Sequence, residues 1–214
     1  DLSGLTGSRT DNLSTKGKQL LPAAKINNCR LTKGFYDGTA AVLFGEKGSF
    51  DFELPGAYRN LTLIASVRVD DIKDRTSILM AGHDFYSASG TFLWQILPNG
   101  AIQIQLTPIN NRSEQTCFPS EPFTWPCHWK TWSTVAVVLD ADKKAILHYY
   151  DGRLVAEVPW KTPTPLYIGT ASLGNMRRSQ FELTPLYLNG AMDDFQIYDK
   201  ALSSAEIAKI QKVY

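Results

Sequence analysis

The side chains able to do acid–base or metal chemistry are thinly spread along these 214 residues. Asp51 and Glu53 stand two apart, so on a strand they share a face, whereas the adjacent Asp193 and Asp194 are expected to point to opposite faces. Retaining glycoside hydrolysis needs two carboxyls about 5–5.5 Å apart, and the single pair at 51 and 53 is thin support for it. His83, His128 and His148 lie far apart in the chain. Neither a G-x-S-x-G elbow nor a glycine-rich phosphate loop occurs. Catalysis is therefore not expected.

Recognition of a ligand asks for less: aromatic faces with a few well-placed polar groups. Phe123, Trp125 and Trp129 sit in one long loop, and Phe85 and Tyr86 in another that reads Gly-His-Asp-Phe-Tyr. His83, Asp84 and Arg112 are the polar candidates beside them. Trp125 either stacks on a ligand or packs beneath its own loop. Trp94 and Trp132 fall on strand-like segments and read as core. Cys117 and Cys127 flank the aromatic loop; a bridge between them would close a short ring and add roughly 3 kcal/mol on the chain-entropy model, with two reduced thiols as the alternative. Cys29 has no evident partner, and no second Cys pair or His pair suggests structural zinc.

The elements that must hold these loops are strands. Val42 and Phe44, then Phe50, Phe52 and Leu54, alternate around Gly45-Glu46-Lys47-Gly48 and predict a hairpin. Leu61, Leu63, Ala65, Val67 and Val69 give a strand with one core face; Thr62, Ser66 and Arg68 predict a mostly wet opposite face. Ile78 to Met80 predict a short buried strand. Phe92–Leu97 and Ala101–Leu106 flank a Pro-Asn-Gly turn, and Gln103 and Gln105 alternate with Ile102, Ile104 and Leu106. Trp132–Asp140 is apolar on both faces and predicts a central strand. Asp151-Gly152 joins Ala145–Tyr150 to Arg153–Val158. Leu166–Gly169, Phe181–Leu188 and Met192–Tyr198 complete the strands. Residues 1–30 and 107–130 read as loop, apart from one short strand in the first. Ser203 and Glu206 predict a capping box, with Leu202 and Ile207 as its hydrophobic staple, for a short C-terminal helix.

A formal net charge of +1 excludes any bulk electrostatic case for nucleic acid or an anionic membrane surface. No apolar run approaches the roughly 18 residues of a membrane-spanning helix. The abrupt Asp1-Leu2-Ser3-Gly4 start reads as a piece of a longer chain, so a missing leader carries no weight. Turn signals at regular spacing, with no linker-like shift, predict one domain over residues 1–214: an all-β antiparallel sandwich or jelly roll.

Four motifs then carry a resemblance. Trp132–Asp140, Tyr149-Tyr-Asp-Gly-Arg-Leu-Val155, Pro165-Leu-Tyr-Ile-Gly169, and Leu188–Tyr198 followed by Ala201–Ile207 resemble, in order, the motifs of laminin-G-like, concanavalin A-like domains. Asp1–Gly4 is similar to the segment after that family's first strand. Phe52–Tyr58, Leu61–Leu63, Val67–Val69 and Trp94–Ile96 are similar to the module that ends bacterial FecR-like proteins. The resemblance implies a concanavalin A-like jelly roll. It also implies a non-catalytic, extracytoplasmic recognition module of a membrane-anchored sensor, with a glycan or a protein as partner. Glycosidases of this fold carry an E-x-D-x-x-E strand motif that is absent here. No cofactor is required; a structural calcium at Asp193 and Asp1 is the family's implication, with the alternative that Asp193 accepts hydrogen bonds from the Asn189-Gly190 bend.

Overall fold

A computed structural model describes residues 9–10, 24–72, 75–82, 91–107, 116–122, 130–176 and 186–212. Its strands, in chain order, are β1 (Arg9–Thr10), β2 (Ala24–Lys33), β3 (Ala40–Tyr58), β4 (Leu61–Val69), β5 (Thr76–Ala81), β6 (Phe92–Ile96), β7 (Ile102–Leu106) and β8 (Thr116–Pro119). There follow β9 (Trp132–Asp140), β10 (Ala145–Tyr150), β11 (Arg153–Pro159), β12 (Leu166–Leu173), β13 (Asn175–Met176), β14 (Leu186–Tyr187) and β15 (Gly190–Tyr198). One helix, α1 (Ser204–Lys212), follows.

All pairings are antiparallel, and the main ladder runs β11-β10-β9-β4-β15-β3-β12-β5-β6-β7-β8. The long β3 is its fold line. Its first part pairs with β15, from Val42 to Phe44, and its second with β12, from Phe50 to Tyr58. Leu63, Val135 and Val137 from one side of that line share a single buried cluster with Trp94, Ile104 and Ile168 from the other. Two leaves therefore face each other across one apolar core, the all-β jelly-roll sandwich the alternation predicts.

Several details differ from the sequence expectation. The hairpin expected around Gly45–Gly48 is a bulge within β3. Asn27 pairs with Ser49 and Cys29 with Phe44, so four residues of β3 stand opposite Asn28 alone. Asn28 and Lys47 both take positive φ there, and Asn28 Nδ2 donates to Glu46 O at 2.7 Å. The ten-residue β2 was hidden in sequence because its polar residues break the alternation; β3 supplies its register. The four-residue β8 was hidden because it is short and ends in proline.

The expected wet face of β4 is buried. Thr62 is fully buried, Ile64 and Ser66 are each 2% exposed, and α1 supplies much of the cover. Leu202 and Ile207 pack with Ile64, Ala136, Val138 and Tyr149 in a second apolar cluster. Burial there is accompanied by pairing: Thr62 Oγ1 donates to Lys200 O at 2.7 Å and accepts from Leu202 N at 3.0 Å. Thr134 Oγ1 donates to Asp151 Oδ1 at 3.1 Å. The helix starts as its sequence predicts. Ser203 N and Oγ both donate to Glu206 Oε2 at 2.8 Å, and Glu206 N donates back to Ser203 Oγ at 3.3 Å. Ile207→Ala should open a void under the helix and lower unfolding stability by about 2–5 kcal/mol, measured by urea denaturation.

His148 ties the leaves together by joining strands from the two ends of the ladder. It stands on β10, fully buried, and its Nε2–H donates to Phe118 O on β8 at 3.0 Å. Burial pushes its pKa down from 6.5 to about 4. The unfolded chain takes up a proton below pH 6.5 that the folded chain refuses until about pH 4. The stability held above pH 6.5 is therefore lost as pH falls through that window, by an amount on the order of 3 kcal/mol. Denaturation at successive pH values should show this loss in the native protein. In His148→Gln, which keeps a donor but does not titrate, it should be missing.

Candidate functional site

The residues that the sequence singled out for ligand binding, Phe123, Trp125, Trp129, Phe85, Tyr86, His83, Asp84 and Arg112, lie outside the described residues, as do Asp1 and Cys127. Cys117 is described, an exposed free thiol on β8 whose pKa burial raises, with Arg75 opposing. Two other places hold chemistry: the rim around Asp193, and the outer face of the second leaf.

At the rim the strand alternation is broken. β15 pairs Asp193 with Ser66, then slips, and pairs Gln196 with Ile64. Asp194 sits in the slip with φ 48°. Met192, Phe195 and Ile197 consequently pack toward the core, whereas unbroken alternation would have put Asp193 on the face of Phe195 and Ile197. Nor do the two carboxylates diverge; both reach the turn between β2 and β3. Asp193 Oδ2 accepts from Phe35 N at 3.0 Å and Thr39 Oγ1 at 3.2 Å, and Oδ1 from Asp194 N at 2.8 Å. Asp194 Oδ2 accepts from Gln196 Nε2 at 2.8 Å and Tyr36 OH at 3.5 Å. The bend at Asn189-Gly190 is not the donor; Asn189 O accepts from Asp70 N instead. Gly34 is required beside Asp193, since a Cβ there would lie 2.8 Å from Oδ2 and 2.1 Å from Thr39 Oγ1.

Asp193 thus clamps a turn by accepting from N–H and hydroxyl donors. That donor set does not fit calcium, which wants oxygen acceptors. Among the described residues no group of three or more acids, Cys or His gathers to hold a metal. Burial raises the pKa of Asp194, and the neighbouring charge of Asp193 raises it further. Trp132, expected in the core, pairs with Arg68 across β9 and β4 and stands half-buried at this rim. Arg68 lies 5.7 Å over its ring and Phe35 packs 5.9 Å away. Trp94 is in the core, fully buried.

The second place emerges from register. Trp94 and Ile104 point into the core, so Leu93, Gln95, Gln103 and Gln105 point out of the other side of the second leaf. Ser77 pairs with Gln95, Gln95 with Gln103, Ser172 with Met80, and Asp51 with Ser172. Glu53 follows on the same face, opposite Thr170. Asp51 is held by Asn27, whose Nδ2 donates to Asp51 Oδ2 at 2.8 Å and to Ser49 Oγ at 3.0 Å. Ser77 Oγ, both amide atoms of Gln95 and Ser172 Oγ are buried without any partner. Each such group costs about 1–3 kcal/mol when left unpaired. On the helix-covered face of the first leaf, no strand side chain among the described residues has a buried polar atom in that condition.

Sequence reasoning saw Gln103 and Gln105 alternate with Ile102, Ile104 and Leu106 and missed Ser77, Gln95 and Ser172. The alternation of Leu93-Trp94-Gln95-Ile96 carried the signal for Gln95. The gathering of these residues needed the strand order β12-β5-β6-β7, which brings residues about 70 apart together.

Comparison with known proteins follows this geometry. Residues 38–208 match the family model described as the concanavalin A-like lectin/glucanases superfamily. No curated protein sequence matches the chain. Among solved structures, a SAP-like pentraxin from Limulus polyphemus is similar over 77% of this chain and 75% of its own, at TM-score 0.57 and 15% identity. The CBM40 module of the Ruminococcus gnavus IT-sialidase, solved with α2,3-sialyllactose, is similar over 75% of this chain and 96% of its own, at TM-score 0.58 and 17% identity. The botulinum neurotoxin serotype D binding domain reaches TM-score 0.66 at 15% identity, over 96% of this chain and 51% of its own. This chain thus spans about half of that toxin domain. At these identities the likeness is one of fold.

Asp194→Asn should raise the melting temperature at neutral pH, because Asn tolerates positive φ and removes a charge that burial disfavours. Asp193→Asn should lower it, with or without added calcium. A calcium-dependent rise in the native protein that the Asp193 variant lacks would contradict the clamp role.

Proposed function

Because the chain belongs to the concanavalin A-like lectin/glucanases superfamily, we propose that it is a non-catalytic recognition module that binds carbohydrate on the outer face of its second leaf. The observation that carries this reading is the row Gln103, Gln95, Ser77 and Ser172. Amides and hydroxyls both donate and accept, as a sugar hydroxyl does, and here several are buried with nothing to bond. A buried polar group without a partner calls for an explanation such as function or an absent ligand. The sialyllactose-bound module among the similar structures supports the class of ligand.

The loop residues Phe123, Trp125, Trp129, Phe85 and Tyr86, with His83, Asp84 and Arg112, remain part of the proposal as stacking and polar contacts. The parent is proposed to be a membrane-anchored, FecR-like sensor with this domain outside the cytoplasm, on the strength of Phe52–Tyr58 and the neighbouring motifs. Among the described residues no helix is long and apolar enough to cross a membrane. Calcium is proposed only at a site to which Asp1 and other residues outside the described set would supply the oxygen ligands. The bridge between Cys117 and Cys127 is likewise a proposal, for an oxidising compartment, since Cys117 is a free thiol in this structure.

A second reading has its own observation. Phe35, Tyr36, Trp132 and Arg68 form an aromatic and cationic cluster at the rim, all half-buried. Aromatic residues and Arg are enriched where proteins dock, so this rim suits a protein partner.

A glycan array decides between them. The first reading expects the native protein to bind at least one oligosaccharide, with Trp125→Ala weakening that binding and Trp132→Ala leaving it unchanged. Silence on the array, with capture of the partner by the rim, would favour the second. Release of reducing sugar that disappears in Asp51→Asn or Glu53→Gln would contradict the non-catalytic assignment.

A further inference from the structure

Tyr167 on β12 is 40% exposed, and it is the only exposed aromatic side chain among the described residues. The strand fixes which way it projects. Leu166 and Ile168 on either side of it pack in the sandwich core, so Tyr167 leaves the outer face of the second leaf. A bulge follows, between Tyr167 and Gly169, and Ala171 is again in the core. Thr170 and Ser172 therefore share the outer face with Tyr167. Resting on the reading just given, we propose that Tyr167 is the stacking platform of the carbohydrate site. The ligand is then an oligosaccharide laid along β12 from Tyr167, past Thr170 and Glu53, toward the unpaired hydroxyl of Ser172.

A single exposed apolar residue is ordinary on any surface, but the surroundings set this one apart. The same leaf covers its other large outward apolar side chains: Met80 and Leu93 are buried beneath Met176 and Leu186. The residue opposite Tyr167 is Ala57, itself exposed, with Gly56 before it, so β3 offers the ring little to pack on. Two residues along β12, a Cβ at Gly169 would meet nothing within 4 Å. The backbone beneath the ring is nevertheless held, by buried Leu166 and Ile168 and by Gly82 N, which donates to Ile168 O at 2.8 Å. Such a platform loses little freedom when a ligand lands on it.

The chemistry suits a pyranose. The face of an aromatic ring is the negative pole of its quadrupole, and it attracts the C–H groups that line one face of a sugar. The sugar's hydroxyls lie around its rim. Glu53 and Thr170, paired across β3 and β12, can accept from them, and the Thr170 hydroxyl can also donate. Glu53 is exposed, Thr170 half-buried and Ser172 buried with its Oγ unpaired, so contact deepens along the strand. At the rise of a strand, the five-residue step from Tyr167 to Ser172 covers about 16 Å. That is further than one sugar ring spans, and it calls for a chain.

The test takes the best binder from a glycan array and measures its affinity by calorimetry. Tyr167→Ala should weaken it roughly ten-fold or more without moving the melting temperature, and Glu53→Ala should also weaken it. Tyr167→Phe, which keeps the ring, should bind as the native protein does. So should Leu154→Ala, which removes an exposed apolar side chain from β11 on the other leaf. Native affinity in Tyr167→Ala or in Glu53→Ala, or equal losses in Tyr167→Ala and Tyr167→Phe, would overturn this proposal while leaving carbohydrate binding intact. Failure of the native protein to bind any glycan would overturn both.

Discussion

A two-leaf sandwich buries one face of each sheet by pairing the leaves, but each sheet has a second face, and every polar group buried there must find a partner. The two leaves meet this constraint differently. On the first, α1 lies over Ile64, Ala136 and Val138, and Thr62 exchanges hydrogen bonds with Lys200 and Leu202. The cover supplies both the apolar contact and the polar partners. On the second, the ribbon covers Met80 and Leu93, yet Ser77, Gln95 and Ser172 are left with buried atoms unpaired. Local pairing of this kind is what evolution or design ordinarily enforces. Its breach at four strand side-chain atoms on one face, against one helix amide, Gln211 Nε2, on the other, is the reason for placing function there.

Much of the fold was legible because antiparallel strands write their burial at period two. Leu61–Val69, Trp132–Asp140 and Ala145–Val158 with its Asp151-Gly152 turn are strands where the sequence puts them, and both turn residues take the positive φ that such a turn needs. The capping box at Ser203 and Glu206 is formed by the expected atoms. What stayed hidden was set by partners distant in sequence. β2 acquires its register from β3, and the bulge at Gly45–Gly48 looks like a hairpin turn until Asn28 is seen opposite it.

The same distinction runs through the sites. Asp193 was recognisable as a residue with a task, but its partners, Phe35 N and Thr39, lie more than 150 positions away. One register slip at Asp194 reversed which of its neighbours face the core. The outer row of the second leaf is assembled from β3, β12, β5, β6 and β7, with no motif in any one of them. Gln95 alone in sequence is an ordinary polar residue on a strand. Beside Ser77 and Gln103, and sealed from water, it is an amide awaiting a partner.

The most direct measurement follows the side-chain amide of Gln95 by NMR while a glycan identified by array is titrated into isotope-labelled protein. The account predicts that the Gln95 and Gln103 amide resonances shift in step with saturation. The amide of Asn60, engaged with Asp142 away from that face, should stay in place. Saturation of the protein with both glutamine amides unmoved would place the ligand elsewhere and contradict the account.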